Sequence, residues 1–223
     1  PLPPKLGSSS KFNTMDVSTN RLNGSLPKAI CQGGNLQYFL ALENSFTGEL
    51  PESYGRDCKS LIRFRLNNNY LSGKVPDGIW GLVHANIIDL SFNQFSGEIS
   101  PEIRNAKNLS ELVIHNNRFS GVLVPEIGMA VKLSKIEAYN NLLTGPIPKA
   151  IGNLKQLDAL YLQNNVMEGS IPREIGLCGS LTVINLANNR LKGPIPEALG
   201  AIQDLNSLNL SNNELSGSIP ASL

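Results

Sequence analysis

An asparagine recurs at positions 20, 44, 69, 93, 117, 141, 165, 189 and 213, a step of 24 residues broken once by a step of 25 between Asn44 and Asn69. Gly stands four residues after every one of them, from Gly24 to Gly217, and Pro stands seven residues after seven of the nine. The two exceptions, Ser100 and Val124, are each followed at once by Pro. Apolar residues precede each Asn by eight, five and three positions, as in Leu61, Phe64 and Leu66 or Leu205, Leu208 and Leu210. No other feature constrains the fold as tightly. A unit this short cannot bury its own apolar face, so neighbouring units must stack around a shared core.

The spacing L-x-x-L-x-L-x-x-N is that of leucine-rich repeats, in which each repeat gives one short strand to a parallel sheet. Nine strands about 4.8 Å apart make a sheet about 40 Å long. The recurrent Asn side chain is expected to hydrogen-bond buried turn backbone in every repeat, since an unpaired buried amide is costly. The fixed Gly marks a backbone position that a Cβ would strain, and the Pro fixes the segment after it. Counting back one period puts Pro3 at the Pro position of a preceding unit, and Leu223 falls three residues after Pro220. Residues 1–223 therefore read as about nine repeats from the interior of a longer solenoid, without caps.

Composition narrows the function. Nineteen basic against 18 acidic residues, a formal net charge of +1, argue against a nucleic-acid surface or a polybasic membrane patch. No stretch approaches the roughly 18 consecutive apolar residues of a membrane span. The opening Pro1-Leu2-Pro3-Pro4-Lys5 lacks the layout of a secretory signal. His84 and His115 are far apart and the three cysteines have no zinc spacing, so neither a metal nor another cofactor is expected. No nucleophile–base constellation or phosphate loop stands at usable spacing, which disfavours an enzyme.

Segments such as Asn213-Glu214-Leu215-Ser216-Gly217-Ser218-Ile219-Pro220 resemble the plant-specific class of these repeats, which dominates the extracellular domains of plant receptor-like kinases. Arg63-Phe64-Arg65, Gly78-Ile79-Trp80-Gly81-Leu82 and Ile87-Ile88-Asp89-Leu90 further resemble the peptide-hormone receptors that include HAESA and the receptors of C-terminally encoded peptides. The resemblance implies an α/β solenoid of 24-residue repeats, a curved right-handed superhelix with the parallel sheet on its concave face. It implies an Arg-x-Arg pair that holds the free C-terminal carboxylate of a secreted peptide hormone. It also implies a co-receptor kinase with a short leucine-rich-repeat ectodomain docking over the peptide and the later repeats. The full-length protein is then expected to be a single-pass glycoprotein of the plasma membrane, with its repeats outside and a Ser/Thr protein kinase domain inside.

Side chains of a strand alternate faces, so residues six, four and two before each Asn point out from the core. In the third repeat these are Arg63, Arg65 and Asn67, with the two arginine Cβ atoms about 7 Å apart. At that distance two cations repel by about 0.6 kcal/mol in water, a cost that an anion between them reverses. A guanidinium offers a planar fork that matches a carboxylate, which Lys cannot reproduce. Asp89 falls beside Arg65 on the next strand. It either forms an ordinary exposed salt bridge, worth about 0–1 kcal/mol, or orients Arg65 toward a ligand. Arg63 has no acid beside it.

On the N-terminal side of the arginines, Tyr38, Leu40 and Leu42 form an unusually apolar stretch for an outward face, and Tyr38 is a candidate contact. On the other side, Glu111, Val113, His115, Lys135, Glu137, Tyr139, Tyr161 and Gln163 read as a solvated mixed face, with His115 a lone surface histidine. Cys31 and Cys58 admit two readings, free core thiols or a bridge between adjacent coils, which needs Cα atoms within about 7 Å. Asn23, Asn108 and Asn209 begin Asn-x-Ser sequons and are expected to be exposed.

The leading functional reading is a hormone-sensing module. Against it stand a polygalacturonase-inhibitor-like inhibitor of cell-wall hydrolases, which uses the same repeat class without needing the arginine pair, and a kinase-less receptor-like protein.

Overall fold

The computed structural model describes residues 1–223. Each repeat gives one three-residue strand to a nine-stranded parallel sheet whose order follows the chain. The strands are Thr14–Asp16, Tyr38–Leu40, Arg63–Arg65, Ile87–Asp89, Glu111–Val113, Lys135–Glu137, Ala159–Tyr161, Val183–Asn185 and Ser207–Asn209. Register follows the sequence period: Tyr38, Arg63 and Ile87 stand side by side, as do Leu40, Arg65 and Asp89. The middle residue of each strand turns inward, and from Phe39 to Ile184 it is fully buried.

The recurrent Asn locks the coils together. Asn117 donates from Nδ2 to the carbonyls of Ile114 and His115 in its own coil and of Leu90 in the coil before, and its Oδ1 accepts from the Phe95 N–H. Asn141, Asn165, Asn189 and Asn213 repeat the pattern. Turn backbone that could not enter a sheet thereby finds partners inside the core. The Gly four residues on has φ between 66° and 84° in every repeat, a left-handed conformation that a Cβ disfavours.

A second layer of strands runs through that Gly or stops just before it. Six short strands from Asn23–Gly24 to Leu142–Thr144 pair in parallel, and Glu168–Ser170, Arg190–Gly193 and Glu214–Leu215 form a further three-stranded sheet. After the Pro the chain enters a single helical turn, α-helical at Ser53–Asp57 and Asp77–Trp80 and 3-10 from Pro101–Asn105 to Glu197–Ala201. Between these layers lies one continuous apolar core. Gly78 illustrates its tightness, since a Cβ there would stand 2.0 Å from the carbonyl oxygen of Gly55. Cys31 and Cys58 are joined by a disulfide between adjacent coils, with Cα atoms 5.0 Å apart. Cys178 is a free thiol buried against the Ile151 carbonyl, and burial pushes its pKa up to about 11. No helix is long and apolar enough to cross a membrane.

Candidate functional site

The strand Arg63–Arg65 sets both arginines on the outward face with the buried Phe64 between them. Arg63 is exposed, flanked by Tyr38 and Ile87, and its guanidinium enters no ion pair. Arg65 is half-buried, and its Nη2 lies 3.3 Å from Asp89 Oδ2. The second carboxylate oxygen of Asp89 accepts hydrogen bonds from the Ser91 N–H at 3.2 Å and the Ser91 hydroxyl at 2.8 Å. Asp89 is thus fixed from below and steadies Arg65 from the side. The carboxylate serves Arg65 alone, and the face keeps an unneutralised positive charge at Arg63.

Of the other expected contacts, Tyr38 and Leu40 are half-buried and form a partly apolar ledge beside the arginines. Asn67 and Asp89 are 9% and 5% exposed, so little of either side chain faces solvent. Arg65 Nε and Asn67 Oδ1 are both buried without a partner. The arginines, Tyr38 and Asp89 therefore share one patch, with Asn67 sunk at its margin.

The repeats beyond depart from a solvated mixed face. His115 is 6% exposed rather than a surface residue. Its ring stacks on Tyr139, with centroids 4.2 Å apart, and stands nearly perpendicular to Phe92, with centroids 5.0 Å apart. Its Nε2 stands 3.4 Å from Glu137 Oε2, and Lys135 Nζ stands 2.7 Å from Glu137 Oε1. The hydrogen bond from His115, followed by that from Lys135, holds the Glu137 carboxyl below its ordinary pKa against the opposing effect of burial. Burial of His115 escapes the sequence period because it depends on the size of Phe92 and Tyr139 on neighbouring coils.

Of the sequons, Asn23 and Asn209 are exposed, and Asn209 lies on the outward face of the last strand. Asn108 is half-buried, and its amide donates to the Val83 carbonyl and accepts from Lys132 Nζ. This corrects the expectation of an exposed residue, because a glycan on Nδ2 has to displace the Val83 contact.

One further feature runs along the edge of the sheet. The residue before each recurrent Asn is left-handed, with φ between 51° and 57°. Asn fills that position in six repeats, while Thr19, Glu43 and Phe92 fill the other three. Asn tolerates this conformation better than most residues, so the Asn-Asn doublets were its signature in the sequence.

The family model for the Leucine Rich Repeat matches residues 60–82, 85–106, 108–129, 180–202 and 204–223. Among solved structures, the chain is similar to the ectodomain of the Arabidopsis receptor kinase HAESA, captured with the peptide hormone IDA and the co-receptor SERK1. The two are 44% identical with a TM-score of 0.97, over 99% of this chain and 37% of that one. It is also similar to the plant peptide hormone receptor RGFR1 in complex with RGF2, at 33% identity and a TM-score of 0.93, over 95% of this chain and 34% of that one. Among curated proteins, the rice leucine-rich repeat receptor protein kinase MSL1 is 37% identical over 73 residues, 33% of this chain and 5% of that protein. The chain thus spans about a third of the solved ectodomains and a far smaller share of the curated relative.

Proposed function

The chain is a leucine-rich-repeat solenoid similar to the ectodomains of plant peptide-hormone receptors, and from that premise we propose that it is a hormone-binding segment whose Arg63 and Arg65 grip the free C-terminal carboxylate of a secreted peptide. The observation that carries this reading is the unequal pairing of the two guanidiniums. Asp89 holds Arg65 in place and leaves Arg63 open, so one unit of positive charge awaits an anion between them. A carboxylate there meets two forks of donors, and charge-assisted bonds of this kind are about twice as strong as neutral ones. Capture of a C-terminal carboxylate reads the ligand's end as well as its sequence.

The ledge of Tyr38, Leu40 and Leu42 takes the residues just before that terminus. Asp89 positions Arg65 rather than touching the ligand. The complex of HAESA with IDA and SERK1 supports a second step, in which a co-receptor kinase with a short repeat ectodomain closes over the bound peptide and the later coils. The Cys31–Cys58 disulfide suits an oxidising, extracellular setting on the outer side of the plasma membrane. A kinase domain and a membrane helix elsewhere in the full-length receptor complete this reading.

The test is calorimetric titration of the full ectodomain with secreted plant peptides, each made with a free and with an amidated C-terminus. The reading requires one peptide that binds as the acid and loses most of its affinity as the amide. Equal affinity for both forms of the cognate peptide contradicts it.

A further inference from the structure

His115 ends a chain of side-chain amides that runs along the edge of the sheet. Asn212 Nδ2 donates to Asn188 Oδ1 at 2.7 Å, Asn188 to Asn164 at 2.7 Å, Asn164 to Asn140 at 2.6 Å and Asn140 to Asn116 at 2.7 Å. The remaining amide nitrogen, Asn116 Nδ2, lies 2.8 Å from His115 Nδ1. The ladder stops there because the next coil places Phe92 where an Asn would continue it. The Phe92 ring packs against the imidazole instead, nearly perpendicular to it.

The direction of this ladder is not free. Glu137 Oε2 faces His115 Nε2, and a carboxylate can only accept, so the neutral ring carries its proton on Nε2. Nδ1 is then an acceptor and requires the NH2 end of Asn116. Asn116 must in turn offer its oxygen to Asn140, and the same choice passes through Asn164, Asn188 and Asn212. Each amide except the terminal Asn212 has one partner on either side within this ladder. A reversed ladder therefore contains the same number of hydrogen bonds.

We propose that His115 is the control point of a two-state amide relay: neutral, it holds the ladder in the direction described, and protonated, it reverses it. A second ring proton makes Nδ1 a donor, which repels the Asn116 NH2 group and calls for its oxygen. Turning each amide over restores every bond. The torsion involved joins sp3 to sp2 carbon and is broad and nearly two-fold, so the rotations are cheap. Hydrogen bonds in such a chain polarise one another, so mixed directions are disfavoured relative to the two uniform ones.

Charged and titratable groups face the ring from the strands packed on either side of it. Glu137 faces it directly, with Lys135 on the far side of that carboxylate and Glu111 acting on Lys135. Tyr139 lies under the ring and Tyr161 against Tyr139. On the preceding strand Asp89 is held by Arg65. The consequence is remote from its cause. Four steps of about 4.8 Å carry the change about 19 Å, to Asn212. The free end of the ladder presents a carbonyl acceptor while His115 is neutral and an N–H donor once it is charged. This inference is independent of the carboxylate-binding reading, since no peptide takes part.

The experiment is a side-chain amide NMR titration of the full ectodomain, labelled at asparagine and histidine, from about pH 7.5 to about pH 5, the range in which a histidine changes charge. The Nδ2 resonances of Asn116, Asn140, Asn164, Asn188 and Asn212 are expected to move together, with the midpoint of the His115 ring signals. In His115→Phe, which keeps an aromatic ring for stacking, all five should stop moving. In Asn140→Ala, Asn116 should still follow His115 while Asn164, Asn188 and Asn212 fall silent. A wild-type ladder that stays still while His115 titrates, a His115 that never titrates in this range, or distal amides that keep moving in Asn140→Ala would each overturn the proposal.

Discussion

Asp89 stands beside Arg65 and not beside Arg63: its Oδ2 is 3.3 Å from Arg65 Nη2, while Arg63 has Ile87 as its neighbour on that strand. Asp89 Oδ1 is meanwhile occupied by the Ser91 N–H and hydroxyl. The carboxylate is anchored on one oxygen and restrains a guanidinium with the other. Replacing it with Asn keeps the shape and removes the charge. Asp89→Asn should therefore loosen Arg65 and weaken binding of a free-acid peptide by about tenfold, or about 1.4 kcal/mol. The measurement is calorimetry on the folded variant. Unchanged or tighter binding would mean that Asp89 competes with the ligand instead of positioning its receptor.

Asn117 makes three donor contacts through Nδ2 and accepts one backbone N–H. Truncation leaves those part-buried backbone groups without partners. Asn117→Ala should lower stability by about 2–4 kcal/mol, as the loss of several part-buried hydrogen bonds implies. Chemical denaturation followed by circular dichroism measures it. Asn116→Ala, one residue away, should cost far less, because Asn116 bonds only along the surface ladder.

The Cys31–Cys58 bridge closes a loop of sequence separation 27. Cross-linking a loop of that length stabilises by about 3.5 kcal/mol on the chain-entropy account. The pair Cys31→Ala and Cys58→Ala should lower the unfolding midpoint accordingly. Because each coil touches only its neighbours, hydrogen exchange should rise mainly in the N-terminal coils.

Glu137 gives the fold a definite acid limb. His115 and then Lys135 lower its folded-state pKa below the ordinary value of 4.5. A depressed carboxyl contributes stability that is fully present above its unfolded pKa and is lost as pH falls through the folded value. The contribution should thus persist down to about pH 4.5 and disappear below it. In Glu137→Gln the stability profile should be flatter on that limb, as read from thermal unfolding across an acid pH series.

Much of the architecture was legible because backbone periodicity needs only residue spacing. The Asn period announced the strand, the register and the buried amides, and the Gly four residues later announced a left-handed backbone. Arg63 beside Tyr38 and Ile87, and Arg65 beside Leu40 and Asp89, follow from the same count. The lateral strands were not legible, since segments such as Tyr70–Lys74 and Gln94–Glu98 carry no alternation and pair only through the coil's stacking. The setting of His115 was hidden for a different reason. Outward position is fixed by strand parity, but exposure depends on the bulk of side chains one coil away, here Phe92 and Tyr139. Asn67 and Asp89 sank below the surface in the same manner.

The claim on which the functional account rests is that Arg63 answers to the ligand's terminal carboxylate. The direct measurement is a double cycle, titrating the full ectodomain and its Arg63→Ala variant with the cognate peptide as free acid and as amide. The account predicts a large penalty for amidation on the parent receptor, on the order of 2 kcal/mol or more for a hydrogen bond to a charged group, and a much smaller one on Arg63→Ala. An amidation penalty of the same size on both proteins would contradict it.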